Sequence, residues 1–171
     1  WGKYFPACRP GGAQSPVNIK AKRFLSDDSQ SILFDIKKSP LQNIVNNGHT
    51  IQVNFSKHLA NVLIGSARYK VLQLHFHSPS ENTVNGRHFP LVMHVVARNQ
   101  QRPKQLAVIA IFFKLGRPNK ALTTLWQYMP KVIKKPISLR TVKLNLYQLI
   151  PAQIDQDYRF IGSLTTPPCT H

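Results

Sequence analysis

The chain has 171 residues, 42% of them hydrophobic, with 23 Lys and Arg against 6 Asp and Glu and a formal net charge of +17. That is enough apolar material for one core and one domain, and no run approaches the about 18 apolar residues of a membrane-spanning helix. The positive charge draws anions non-specifically. However, the basic residues are dispersed, with Lys37-Lys38 and Lys134-Lys135 the densest pairs, and no recognition-helix, zinc-finger or aromatic–basic strand pattern accompanies them, which argues against a specific nucleic-acid module.

Residues 1–13 carry Pro6, Pro10, Gly11 and Gly12 and read as irregular. Ordered structure is expected from Gln14-Ser-Pro-Val-Asn-Ile19, where Ser15-Pro16 favours a turn and Val17 and Ile19 open a short strand. Residues 21–30 are polar and read as a loop. Residues 31–36 alternate partly, as an outer strand does. Asn46-Asn-Gly-His49 is a turn feeding a strand over 50–55, with Ile51, Val53 and Phe55 on one face and His49 at its mouth.

Val71-Leu-Gln-Leu-His-Phe-His77 reads as a strand. Residues i and i+2 share a face, so His75 and His77 point the same way, with Val71 and Gln73 beside them and Leu72, Leu74 and Phe76 opposite. Two imidazoles side by side can bind one borderline-soft metal ion. On spacing alone, two histidines that happen to share a face, each with an ordinary hydrogen-bond partner, are the commoner arrangement. Asn85-Gly86, within 78–87, suits a hairpin turn with positive φ. The next strand, over 89–96, puts Val92, His94 and Val96 on one side and Leu91, Met93 and Val95 on the other. An antiparallel pairing would set His94 beside the first two histidines. Three imidazoles without a cysteine or carboxylate ligand leave a metal its full charge and an open position, which is a catalytic arrangement.

Residues 98–104 form a polar connection. Leu106-Ala-Val-Ile-Ala-Ile-Phe-Phe113 is the longest apolar stretch and reads as a buried core strand. Residues 119–129 place Ala121, Leu122, Leu125 and Met129 on one helical face, ended by Pro130. Residues 131–135 are a basic link. Residues 141–149 offer Leu144, Leu146 and Leu149 for packing. Residues 157–161 read as a short strand and 162–168 as a constrained turn. Many short strands, 13 prolines and one or two short helices define a mostly-β fold.

The run LQLHFHSPSENTVNGRHFPLVMH, with QSPVNI before it and GSLTTPPCT after it, resembles the α-class carbonic anhydrases of bacterial or secreted type, over about Gln14 to Thr170. The resemblance implies a single domain over 1–171 with a large, twisted, mainly antiparallel central sheet and a few short helices. It also implies Zn2+ held by His75, His77 and His94, and reversible hydration of carbon dioxide to bicarbonate by a zinc-activated hydroxide. Glu81 and Thr165 match the pair that aims the nucleophile, and His49 matches the proton shuttle. Val96, Val108 and Leu164, with Thr166, match the substrate pocket, and Gln73 matches the partner of one zinc histidine. Anions and sulfonamides are the implied inhibitors. A Cys8–Cys169 disulfide is implied too, hence an oxidising compartment, periplasmic or secreted.

This sequence departs from the family pattern in two ways. Val92 stands where the family has a glutamate that orients the third histidine. Losing such a partner typically costs about 10–100-fold in metal affinity or activity. The family pattern also has an amino-terminal aromatic segment ahead of this sequence and continues past PPCT with a further strand, so truncation at both ends is expected. The other function class left open is a catalytically weakened binding or structural domain on the same scaffold.

Overall fold

A computed structural model describes residues 2–9, 11, 13–20, 31–37, 41–56, 60–150, 154, 157–167 and 169. The expected loop over 21–30 lies outside these residues. Among the described residues the strands are, in chain order, β1 (Asn18–Ile19), β2 (Ile32–Ile36), β3 (Leu41–Asn46), β4 (Ile51–Phe55), β5 (Ala60–Ile64), β6 (Ala67–His77), β7 (Thr83–Val84), β8 (Leu91–Asn99), β9 (Leu106–Phe113) and β10 (Ile137–Ser138), with one α-helix, α1 (Lys120–Gln127), between β9 and β10 and short 3-10 turns at Pro6–Cys8 and Leu146–Gln148. The fold is mostly β, as the sequence pattern implies.

β6 organises the sheet. One edge of its first half pairs with β5, the same edge of its second half pairs with β4, and its other edge pairs with β8. β2 extends the sheet beyond β5, β3 and β10 extend it beyond β4, and β9 extends it beyond β8. All pairings in this eight-stranded sheet are antiparallel. β1 and β7 form a separate parallel pair. β3 and β5 occupy segments for which the sequence pattern gave no element. Their apolar alternation is interrupted by Gln42, Asn43 and Asn61, and tertiary pairing decides them.

One face of the sheet carries the core. Val53, Val62, Tyr69, Val71, Leu74, Phe76, Met93, Val95 and Ile111 are buried together, with Ala121 and Leu125 of α1 and with Leu139, Leu146 and Leu149. Asn119 caps α1, its side chain accepting from the Ala121 and Leu122 amides. The Phe76 and Trp126 rings meet edge to face, with centroids 4.8 Å apart, which fixes the helix against β6. Met129 lies beyond α1 and is partly exposed rather than on its packed face.

Three further expectations are corrected. Val71 does not share the histidine face: a bulge between Val71 and Gln73 inserts Leu72, so Val71 pairs with Ala97 and joins the core. A bulge adds one residue and so reverses the alternation on one side of it. The apolar run of β9 is not a buried strand, because β9 pairs only with β8 among the described residues, and Leu106 and Val108 are 37% and 47% exposed. Residues 157–161 form no strand. Tyr158, Phe160 and Ile161 are exposed there, and alternation along one segment does not make a strand unless a neighbouring strand supplies a ladder, which none of the described strand pairings does for 157–161.

Cys8 and Cys169 are disulfide-bonded, with Cα atoms 5.2 Å apart across a separation of 161 residues. Closing so long a loop in the unfolded chain is worth about 4–5 kcal/mol in the chain-entropy account. A Cys8→Ser/Cys169→Ser double variant is expected to lose about that much stability, read as a lower urea midpoint. The wild-type protein under reducing conditions should shift to the same midpoint.

Candidate metal centre

Antiparallel register brings the three histidines together. On the solvent-facing side of the sheet, Gln52, His75, His94 and Ala110 form one cross-strand row through β4, β6, β8 and β9. His77 lies in the row above, opposite Val92, and Gln73 in the row below, opposite Val96, which in turn pairs with Val108. The three imidazole centroids are 5.0, 5.1 and 5.1 Å apart, close to an equilateral triangle. One nitrogen from each ring lies within 4.8 Å of the others.

Each ring has a fixed orientation. His75 Nδ1 is 2.9 Å from Gln73 Oε1. An amide oxygen only accepts, so His75 Nδ1 carries the proton and Nε2 keeps its lone pair for the centre of the triangle. His94 turns the other way and brings Nδ1 to 3.2 Å from His75 Nε2. His77 Nε2 is buried without a hydrogen bond, 3.4 Å from Glu81 Oε2. Burial, reinforced by the charge of His77, lowers the His75 pKa from 6.5 to about 4. Burial, reinforced by both neighbours, lowers that of His94 to about 3. Both rings are therefore neutral at pH 7 and offer lone pairs with no proton to displace.

The donor set fits zinc. Two nitrogens bonded to one tetrahedral zinc at about 2.0–2.1 Å sit about 3.4 Å apart, and the His94 Nδ1–His75 Nε2 separation of 3.2 Å is close to that. His77 Nε2 is an orphaned buried polar atom at the centre, which a cation would satisfy.

Glu81 stands over the triangle, with Oε2 3.8 Å from His94 Nδ1. The Thr165 hydroxyl donates to the same carboxylate oxygen at 3.3 Å. Both residues are held by contacts that the sequence pattern did not single out. Buried Ser80 and Asn82 flank Glu81: Ser80 Oγ donates to the Asn82 carbonyl at 2.7 Å and accepts from the Phe89 amide, while Asn82 Oδ1 accepts from the Val17 amide. Ser163, two residues before Thr165, exchanges hydrogen bonds with Ser15: each amide donates to the other's hydroxyl, at 3.0 and 3.2 Å. The Gln14-Ser-Pro and Gly162-Ser-Leu-Thr segments therefore meet, and the disulfide pins the same two stretches.

Val96 is buried on the histidine face, and Val108 lies beside it, half exposed. Leu164 is partly buried and Thr166 exposed, next to Thr165. His49 is exposed in the turn between β3 and β4. That turn lies at the His77 end of the sheet, since Ile51 pairs with Phe76.

His94 Nε2 is buried with no hydrogen-bond partner. Val92, two residues earlier on the same face and fully buried, has no acceptor to offer. The departure noted in the sequence thus leaves a real gap behind the third histidine.

A three-histidine metal centre on the exposed side of a twisted antiparallel sheet, overhung by a carboxylate–hydroxyl pair, defines a class of metal-binding β-sheet enzyme. A family model described as eukaryotic-type carbonic anhydrase matches residues 1–171. A carbonic anhydrase from Pectobacterium atrosepticum is 40% identical over 173 residues, spanning 99% of this chain and 68% of that protein. The α-carbonic anhydrase structure from Photobacterium profundum superposes with a TM-score of 0.86 at 34% identity, covering 99% of this chain and 75% of that one. The complex of α-carbonic anhydrase from Thermovibrio ammonificans with the inhibitor sulfanilamide matches at TM-score 0.80 and 34% identity, with 99% and 74% coverage. The chain belongs to the carbonic anhydrase family, an enzyme family.

Val92→Glu tests the gap behind His94. A carboxylate there would accept from His94 Nε2–H, fixing the ring and raising its basicity. Zinc affinity, measured by competition with a chromogenic chelator, is expected to rise about 10–100-fold over wild type. Val92→Gln, which also accepts but carries no charge, should recover part of that gain.

Proposed function

We propose that this protein catalyses the reversible hydration of carbon dioxide to bicarbonate and a proton, with Zn2+ held by His75, His77 and His94. The observation that supports this most is the three-nitrogen cluster with Thr165 and Glu81 beside it. Zinc, when bound, acts as a Lewis acid that acidifies a water and so supplies the nucleophile at neutral pH.

The chain's own residues supply the rest. Glu81, as a carboxylate, can only accept, so it takes the one proton of the Thr165 hydroxyl. Thr165 Oγ1 is left with lone pairs and accepts from the reacting water, which turns the water's own lone pair towards the substrate. Val96, Val108 and Leu164 give carbon dioxide, a small apolar molecule, an apolar wall beside the histidines, with Thr166 at its rim. Gln73 holds His75 in the tautomer that exposes Nε2. His49, solvent-exposed in the turn between β3 and β4, passes the released proton to buffer. Anions and sulfonamides compete for the open metal position, as the sulfanilamide complex of the Thermovibrio relative illustrates. The disulfide fits a periplasmic or secreted setting, and residues 1–171 act as one domain. Among the described residues no helix is long and apolar enough to cross a membrane.

One observation favours a second reading. With His94 Nε2 unpartnered, the centre holds metal less tightly, and the same scaffold could serve as a weakly active binding domain. Metal content measured with stopped-flow carbon dioxide hydration on the same sample separates the two. The expected result is about one zinc per chain and hydration that a sulfonamide abolishes. Thr165→Ala should retain the zinc and lower kcat/KM about 100-fold. Folded protein that takes up no zinc, or takes it up without hydrating carbon dioxide, would leave the binding-domain reading standing.

A further inference from the structure

The side-chain amides of β3 and β4 form a chain that ends on the turn carrying His49. Asn54 Nδ2 donates to Asn43 Oδ1 at 2.8 Å. Gln52 Nε2 donates to Asn54 Oδ1 at 2.7 Å. Asn47 Nδ2 donates to Gln52 Oε1 at 3.1 Å. Asn47 Oδ1 then accepts from the backbone amides of both His49 and Thr50, each at 2.9 Å. Four carboxamides thus link head to tail: each accepts from the turn side, and Asn47, Gln52 and Asn54 each donate away from the turn, ending on Asn43.

Three features set this chain apart from a row of ordinary exposed amides. Asparagine is depleted from strands, yet Asn43 and Asn54 face each other directly in the β3–β4 pair. Asn43, Asn47, Gln52 and Asn54 are all partly buried, so the bonds are shielded from competing water. Amides joined with one polarity also polarise one another, which strengthens each bond in the chain. Gln52 also sits opposite His75 in the metal row, so the chain runs from the strands of the site to the turn.

We infer that this carboxamide chain positions His49 for proton transfer, with Asn54 and Asn43 acting at a distance as positioning residues. The inference rests on the shuttle role proposed for His49. The turn is also braced by the Gly48 amide donating to Asn46 Oδ1 at 3.0 Å, the Asn47 amide donating to the Thr50 carbonyl at 3.1 Å and the Thr50 hydroxyl donating to the Phe76 carbonyl. Among these described bonds, however, only those to Asn47 Oδ1 reach the His49 amide, and Gly48, with φ +91°, is exposed like His49. Asn47 fastens the two amides that follow Gly48, and Gln52 fastens Asn47. Asn54 supplies the acceptor that sets which way the Gln52 amide faces. Without it, Gln52 is free to rotate, Asn47 Nδ2 loses its acceptor, and the two bonds to the turn loosen.

The test uses the zinc-loaded protein as wild type, Asn54→Leu, Asn43→Ala, His49→Ala and the Asn54→Leu/His49→Ala double variant, with melting curves confirming that each folds. Two readouts are taken: NMR hydrogen exchange at the His49 and Thr50 amides, and carbon dioxide hydration in dilute buffer with and without added imidazole. In Asn54→Leu both amides are expected to exchange about 5-fold faster. Turnover in dilute buffer should fall about 10-fold, recover with imidazole, and leave kcat/KM unchanged. Asn43→Ala, at the outer end, should shift both readouts less and in the same direction, which keeps the test open if Asn54→Leu does not fold. In the His49→Ala background, Asn54→Leu should cost nothing further. Unchanged exchange, a loss that imidazole does not restore, or an additive loss in the double variant would overturn the inference. Full dilute-buffer turnover in His49→Ala would instead remove the shuttle reading beneath it. That failure is recognisable because the exchange would still quicken in Asn54→Leu while turnover did not change.

Discussion

The pairing of β6 with β8 is the constraint on which the rest depends. It sets His75 directly opposite His94 and puts His77 one row away on the same face. A shift of one residue in that pairing would send His94 into the core and Met93 or Val95 to the metal face, because side chains alternate strictly along a strand. The register is held because Met93, Val95 and Ala97 are buried against Val71, Leu74 and Phe76, so slipping would expose an apolar set and bury a polar one. The hydrophobic side of the strand thus positions the chemistry on its other side.

The bulge at Leu72 belongs to the same constraint. Strict alternation through Val71 would place a valine beside Gln73 on the polar face. The extra residue lets Val71 fill the core while Gln73 stays beneath His75 and holds its tautomer. Core packing and ring orientation are both satisfied only because one residue of the strand is left out of the ladder.

The second half of the site is brought in by the ends of the chain. Glu81 sits in a connection fastened to Val17 through Asn82, and Thr165 sits in a segment fastened to Ser15 through Ser163 and to Cys8 through Cys169. A carboxylate and a hydroxyl 84 residues apart meet because two distant stretches converge on residues 14–17. The polar face as a whole is satisfied by amides and hydroxyls. The exceptions among the described residues are His77 Nε2, at the centre of the site, and His94 Nε2, behind which valine replaces an acceptor, so that the back of the His94 ring is held by packing rather than by a hydrogen bond.

By itself the sequence determined the mostly-β character, a helix within 119–129 (observed as Lys120–Gln127), the turn at Asn85-Gly86 and the three histidines, because each rests on local periodicity or a local backbone requirement. Asn85 and Gly86 do adopt positive φ, 50° and 75°. The Val92 substitution was also legible, since it is a single residue at a fixed offset from His94. Tertiary structure alone decided that Val71 turns inward, that β9 lies half exposed, that residues 157–161 form no strand and that Asn43, Asn54, Gln52 and Asn47 link into one chain. A bulge, a strand's neighbours and a cross-strand hydrogen bond depend on residues far away in the chain, and periodicity along one segment carries no record of them.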